Sequence, residues 1–84
     1  MVTTEARWVS FIDKGTTPSG KTRRWEVRSK QGGDVLGIVQ WWPAWRRYTF
    51  QPAYPTTFEQ DCLRDIASFI EAATTAHKEA DSAR

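Results

Sequence analysis

The sequence has few of the residues that build catalytic or metal centres. Its 84 residues include one cysteine, one histidine and no asparagine. Cys62 cannot form a disulfide within the chain, and we expect it to be a small buried hydrophobe on an apolar helix stripe. His77 falls in a polar stretch, no zinc-type spacing is present, and the i, i+4 pair Asp61 and Asp65 is common on helix surfaces. We therefore predict a protein that is not an enzyme and has no cofactor.

Long hydrophobic runs are missing as well. No segment has the length of a secretory signal core or a membrane span, so we expect a cytoplasmic protein without a membrane partner. The length excludes most multidomain enzymes and allows one small domain with a thin core. We predict that this domain covers residues 1–76 and that residues 77–84 form a polar, fraying tail.

Tryptophan and charge are unevenly distributed. All five tryptophans precede residue 46. Residues 1–55 carry nine Lys and Arg against four Asp and Glu, whereas residues 56–84 carry three against six. A basic, aromatic first part followed by an acidic last part means that the net charge of +2 hides the local field. The tryptophans either fill a small core or form a binding surface, and composition leaves both open.

Four segments show strand patterns, at residues 7–14, 22–30, 34–42 and 45–51. The second alternates most clearly, with Trp25 and Val27 on one side and charged residues on the other. Pro43 cannot donate to a ladder, so the chain reverses there. Pro52 and Pro55 then end the sheet.

From Thr57 the apolar period changes to three and four residues, which predicts an amphipathic helix to about residue 76. Thr57 and Gln60 form a capping-box pattern at its start. The predicted fold class is α+β, a four-stranded antiparallel β-meander packed on one C-terminal α-helix.

The register of the second hairpin follows from its loop. A three-residue loop, Gln31-Gly32-Gly33, places Val27 opposite Gly37 and Trp25 opposite Val39. Gly37 would then let the helix approach closely. The inner face would carry Val35, Val39, Trp41, Tyr48 and Phe50.

One helix covers one face of a sheet, so the other face is predicted to be uncovered. Large apolar side chains ringed with arginine on such a face are typical of a binding surface. The uncovered residues would be Arg24, Arg28, Leu36, Ile38, Gln40, Trp42, Trp45 and Arg47. Of these, the predicted ligand-binding residues are Arg24, Arg28, Gln40, Trp42, Trp45 and Arg47.

Residues 15–22 match the phosphate-loop pattern G-x-x-x-x-G-K-[ST]. That mechanism needs a helix directly after the lysine, and here Lys21 precedes a strand pattern. We interpret the match as a strand-connecting turn. Lys21 and Arg23 could still touch a phosphate.

The stretch from Lys21 to Lys30 holds five positive charges, and Arg46 and Arg47 follow on a neighbouring strand. Arginine with tryptophan suits single-stranded nucleic acid or a nucleotide, with guanidinium on phosphate and ring on base. The same face could instead dock on a protein, or be a solvated sheet face that prevents edge aggregation.

A set of short motifs spans roughly residues 25–71. They are Trp25-x-Val27, Leu36-Gly37, Trp41-x-Pro43-x-Trp45-Arg46, Tyr48-x-Phe50 and Cys62-Leu63-x-Asp65-Ile66-x-x-Phe69-Ile70. In these motifs the chain resembles a family of small uncharacterised proteins of phages and mobile elements. The resemblance implies a phage protein, acting in the host cytoplasm, that inhibits or sequesters a host component. The layout is also similar to the arm-type DNA-binding domains of phage integrases, an analogy of fold only.

The sequence thus favours a phage-type module that binds nucleic acid or a nucleotide-like ligand, for example a signal of host defence, on its uncovered sheet face. The alternative is a protein–protein inhibitor or adaptor that docks the same face on a host protein, or on itself as a homodimer.

Overall fold

Five strands precede one long helix in the computed structural model, which describes residues 3–82, with side chains through residue 80. The strands form one antiparallel sheet in chain order. This confirms the α+β class and the sheet-then-helix order, but the predicted count of four strands is wrong. The elements are β1 (Thr3–Glu5), β2 (Val9–Thr16), β3 (Arg23–Ser29), β4 (Val35–Trp42), β5 (Arg47–Pro52) and α1 (Gln60–Ser82).

The β3–β4 hairpin has the predicted register. Val27 lies opposite Gly37 and Trp25 opposite Val39, and the loop glycines Gly32 and Gly33 both have positive φ. Two details differ. The Ser29 amide donates to the Asp34 carbonyl, so the loop has four residues, 30–33, and the prediction of a three-residue loop is wrong. A β-bulge on β4 also places Val35 opposite Arg28. An extra residue in one strand shifts the alternation beyond it.

The bulge exchanges the predicted roles of two neighbours. Val35 is exposed, and Leu36 packs against the core. The predictions of Val35 as an inner residue and Leu36 as an uncovered one are therefore wrong.

The core lies between the sheet and the helix. Its fully buried side chains come from β2, β3 and β4, and Ile66 of α1 packs on them. Aromatic contacts connect the layers: the rings of Phe11 and Phe69 stack with centroids 4.0 Å apart, and Trp25 meets Phe69 edge-on at 5.0 Å. We call this side of the sheet the inner face; it carries Val9 and Phe11, Trp25 and Val27, Val39 and Trp41, and Tyr48 and Phe50.

Gly37 serves a neighbouring strand and not the helix, contrary to the prediction. A Cβ atom at this position would lie 2.8 Å from Cε1 of Phe50 and would also meet the carbonyl oxygen of Gln51. The Phe50 ring occupies the space that a side chain at position 37 would need, and it also packs against the Phe58 ring, with centroids 5.2 Å apart.

Helix α1 is held at both ends of the sheet. Near its start, Asp65 accepts a hydrogen bond from the backbone amide of Trp8 at 2.8 Å. Further along, Thr74 accepts one from the amide of Tyr48 at 3.0 Å. Because β5 is an edge strand, Thr74 satisfies a donor that has no partner strand.

The helix ends later than the sequence predicts. It continues to Ser82, and the His77 ring lies 4.5 Å from that of Trp41. The first residues of the predicted fraying tail are thus helical and packed, whereas residues 83 and 84 lie outside the described part of the chain. No helix within residues 3–82 has the length and apolar character needed to cross a membrane.

The helix also begins later, and its cap is not the predicted pair. Glu59 accepts the Cys62 amide on Oε1 at 2.6 Å and the Leu63 amide on its backbone oxygen at 3.1 Å. Glu59 therefore caps the helix, and the prediction of a Thr57–Gln60 capping box is wrong.

We expect this cap to weaken in acid. The amides of Asp61 and Cys62 hold the pKa of Glu59 below its ordinary value. A folded-state pKa below the unfolded one stabilises the fold above the ordinary pKa, and this contribution is lost as the pH falls through the lowered value. Thermal unfolding at pH 7, 5 and 3 should show a larger drop in Tm for the wild type than for Glu59→Gln, which cannot titrate. Equal drops would contradict the assignment.

Candidate ligand-binding face

The face of the sheet opposite the helix carries charged and aromatic side chains. We call it the open face. The pairing of Arg24 with Gln40, and of Gln40 with Thr49, sets one row across three strands. Trp42 and Arg47 form the next row, at the end of the β4–β5 hairpin. The open face comprises Ile12 and Lys14 of β2, Arg24, Glu26 and Arg28 of β3, Val35, Ile38, Gln40 and Trp42 of β4, Arg47, Thr49 and Gln51 of β5, and Trp45 of the turn.

A tight turn brings two tryptophans together at one end of this face. The amides of Trp45 and Arg46 both donate to the carbonyl oxygen of Trp42, at 3.1 and 2.9 Å. Arg46 has a φ of 53°, the left-handed conformation that closes the reversal at Pro43. The rings of Trp42 and Trp45 lie 6.0 Å apart at an angle of 53°. Their exposed fractions are 42% and 64%, so both rings offer a surface to solvent.

Arg47 lies beside this tryptophan pair, and further cations lie across the same face. Arg47 is fixed at its Nε, which donates to the carbonyl oxygen of Trp45 at 3.3 Å. Within residues 3–80, no carboxylate forms an ion pair with Lys14, Arg24 or Arg47. Five of the six acidic residues after position 55 lie on or just before helix α1, within the described side chains and on the other side of the molecule. The acidic last part of the sequence thus lies on the helix side, whereas the basic residues of the first part lie on both sides of the sheet.

Arg28 belongs to a different part of the open face. It follows Arg24 by four residues, about 13 Å along a strand. Its Nε is paired with Glu26, and its Nη1 donates to the carbonyl oxygen of Gly33 at 3.2 Å. Arg28 therefore supports the hairpin loop, and its charge is compensated within the chain.

The pleat separates the basic cluster that appears continuous in the sequence. Arg23 lies toward the helix side, where its Nη1 contacts Asp13 at 3.0 Å, and Lys21 lies in the preceding loop. Arg23 is thus not brought together with Arg24, Trp42 and Trp45, whereas Lys21 borders a hollow that Gln40 and Pro43 also line. The alternating pattern of β3 already indicates that Arg23 and Arg24 are separated, because adjacent residues of a strand point to opposite faces.

A shallow hollow extends the open face beyond the predicted residues. Its volume is about 220 Å³, and Lys14, Arg24, Glu26 and Ile38 line it. The sequence pattern predicts Lys14 in the strand at residues 7–14, but Lys14 is not among the predicted ligand-binding residues. The alternation of β2 could have indicated this position. Lys14 is two residues from Ile12, so the two share a face, and it is three residues from the core residue Phe11, so it faces away from the core.

The loop that matches the phosphate-loop pattern is a turn between strands. Strand β3 begins at Arg23, so no helix follows Lys21. Several amides in the loop have internal partners: that of Gly15 donates to Asp13, that of Gly20 to the Thr17 carbonyl, and that of Lys21 to Ser19. These donors are not directed at a ligand, as a phosphate loop requires.

The residues with catalytic potential do not form a cluster. The pKa of the Cys62 thiol is raised, mainly because the side chain is partly buried, so its neutral form is favoured. Within the described part of the chain, no three His, Cys, Asp or Glu side chains are grouped as metal ligands. The absence of an enzymatic activity remains a prediction.

Comparisons with protein families, curated proteins and solved structures find no match to this chain. The resemblance to small phage proteins therefore remains a prediction.

Proposed function

We propose that this chain is a non-enzymatic module that binds single-stranded nucleic acid, or a nucleotide-like ligand, on its open face. The observation that carries the proposal is the exposed pair of Trp42 and Trp45 beside Arg24 and Arg47, two guanidinium groups with no carboxylate partner in the described chain. Bases stack on exposed aromatic rings, and guanidinium groups meet phosphates.

The exposure of the rings favours a binding role over a structural one. Trp45 contributes little to the core, and it extends from a turn whose backbone holds the conformation without the ring. Trp25 and Trp41, by contrast, pack against the core, and both rings meet the ring of Tyr48 edge-on. The chain therefore uses two tryptophans for packing and leaves two on the basic surface, where stacking is their most favourable interaction.

The extent of the basic surface favours an oligonucleotide over a single nucleotide. Lys14, Arg24 and Arg47 lie on β2, β3 and β5. Neighbouring strands are about 4.8 Å apart, so these cations span roughly 14 Å. A surface of this width can meet more than one phosphate. The resemblance to phage proteins suggests a second form of the same chemistry, in which the open face captures a nucleotide that the host uses as a signal.

A charge reversal on the open face tests this proposal. For Arg47→Glu we expect the affinity for a fluorescein-labelled oligothymidylate to fall about tenfold or more at low salt, because one phosphate contact is lost and a repulsive charge is added. Fluorescence anisotropy titrations between about 50 and 200 mM salt should also show a salt slope smaller by about 1.

The matched control is Arg64→Glu, which makes the same change on an exposed position of the helix. It should leave the affinity within about twofold, since the site is on the other side of the sheet. Equal losses in both variants would show that only net charge matters. No measurable binding of the wild type would contradict the proposal.

A second candidate is self-association, or docking on another protein, through the same face. The observation that favours it is an exposed apolar pair on β4, Val35 and Ile38, with exposed fractions of 40% and 41%. Light scattering after size exclusion distinguishes the two candidates, because a dimer that hides this face should dissociate when Ile38 is changed to lysine.

A further inference from the structure

Helix α1 leaves part of the inner face uncovered. Its second half is held at the β5 edge through Thr74, and a groove of about 510 Å³ remains beside it. This volume lies within the range of small-molecule sites, about 300–1,000 Å³. The groove is bounded by the rings of Trp25, Tyr48 and Phe69 and by Ala72, Ala73 and Ala76 of the helix.

The alanines are what keep this groove open. Ala72 and Ala76 are one helical turn apart, so they share a face of α1, and both are exposed. On the sheet side, Trp25 is only half-buried although it contacts the core rings of Tyr48 and Phe69. The groove therefore has an aromatic wall and a smooth apolar wall, which suits a flat apolar body.

One cation in the lining of the groove has no carboxylate partner. The polar lining residues include Lys21, Arg23 and His77. The Arg23 guanidinium is paired with both carboxylate oxygens of Asp13, at 3.0 and 3.2 Å. Lys21 has no ion-pair partner within residues 3–80, so its ammonium group is the uncompensated charge of the groove.

The loop with the phosphate-loop pattern adds polar groups at the same point. A second hollow of about 410 Å³ shares Lys21 and His77 with the groove and is also lined by Thr17 and Ser19. The hydroxyl oxygens of these two residues lie 3.1 Å apart, and Ser19 is exposed. The Thr17 hydroxyl also bonds that of Thr22 at 2.9 Å, and Ser19 accepts the Lys21 amide at 3.3 Å, so these hydroxyls order the loop that presents Lys21. The Lys21 ammonium is the group that can meet an anion.

We infer that this groove, called here the anion groove, binds a small organic anion with a flat aromatic body and a phosphate or carboxylate group. The aromatic body lies between Trp25 and the alanine face of α1, and the anion meets the Lys21 ammonium. The aromatic and alanine walls of this site are on the opposite side of the sheet from the open face, whereas Lys21 also borders the hollow that Gln40 and Pro43 line. The inference does not depend on the proposed function.

The test uses 1-naphthyl phosphate as the probe, with neutral 1-naphthol and inorganic phosphate as its two halves. Equilibrium dialysis should show saturable binding of 1-naphthyl phosphate to the wild type, at least tenfold tighter than binding of either half. Lys21→Ala should weaken it about tenfold, because a charge-assisted contact is lost from an exposed loop. Ala76→Leu should abolish it by filling the groove, with a Tm equal to or above that of the wild type.

A comparison variant, Trp45→Ala, removes a ring from the open face, which by the proposed function also takes aromatic phosphates. Saturable binding of the probe should persist in this variant and should still be lost when Ala76→Leu is added to it. Loss of probe binding in Trp45→Ala but not in Ala76→Leu would assign the probe to the open face and overturn the inference. Equal affinity for 1-naphthol and 1-naphthyl phosphate, or no effect of Lys21→Ala, would overturn the anion contact. Absence of binding to the wild type would overturn the site. If Ala76→Leu fails to fold, Lys21→Ala alone decides the anion contact.

Discussion

The Gly37→Ala variant is expected to lose about 1–3 kcal/mol of unfolding free energy, the usual effect of overpacking a filled space. The added methyl group would lie 2.8 Å from Cε1 of Phe50 and would meet the main-chain carbonyl of Gln51. The Phe50 ring cannot move aside freely, because Phe58 lies against it at 5.2 Å. The total stability of a domain of this length is about 4–13 kcal/mol, so the loss is a large fraction of it.

Urea unfolding followed by tryptophan fluorescence measures this loss. The matched control is Gly33→Ala, where nothing lies within 4 Å of the added methyl group and only the positive φ of 74° opposes the change. We expect the Gly37 variant to be the less stable of the two. The reverse order would contradict the account of how β4, β5 and Phe58 pack.

The double variant Trp42→Ala/Trp45→Ala is expected to lose most of its affinity for oligothymidylate while it remains folded. Stacking contributes about 1–3 kcal/mol for each base, so each lost ring should weaken binding roughly tenfold to a hundredfold. The fold should persist, because Trp45 lies in a turn and Trp42 is largely exposed on the open face. Anisotropy titration and a thermal melt together measure both properties.

The matched control for this variant is Trp8→Ala. Trp8 is also partly exposed, but its ring lies under the guanidinium group of Arg7 at 5.1 Å, near the start of β2. Its loss should leave the affinity for the oligonucleotide unchanged. If Trp8→Ala weakens binding as much as the double variant does, the open face is not the site. An unfolded double variant would show that these rings support the core.

The features that the sequence predicted are those with a simple period. The alternation around Trp25 and Val27 identified β3. The predicted register against Gly37 and Val39 is present, although the loop has four residues and not the predicted three, because the bulge in β4 restores the alignment. The division into two faces followed from that register. It placed Trp42 and Arg47 on the side away from the helix, where the structure has them.

The features that the sequence missed depend on single residues or on packing between elements. A strand of three residues, such as β1, is too short to show a period. The sequence near Val35 fits a regular strand as well as a bulge, and the sequence before the helix fits a cap at Thr57 as well as one at Glu59. Packing between the elements decides both cases. The contact of His77 with Trp41 requires the crossing direction of α1, which no local pattern contains.

The most direct test of the open-face site is the set of indole N–H signals in a ¹H–¹⁵N spectrum of the protein, recorded during an oligothymidylate titration. The chain has five tryptophans, and single substitutions assign each signal. The account predicts that the signals of Trp42 and Trp45 shift and saturate together, whereas those of Trp8, Trp25 and Trp41 change little. Shifts concentrated on Trp25 and Trp41, with Trp42 and Trp45 unchanged, would place the ligand on the helix side and contradict the account.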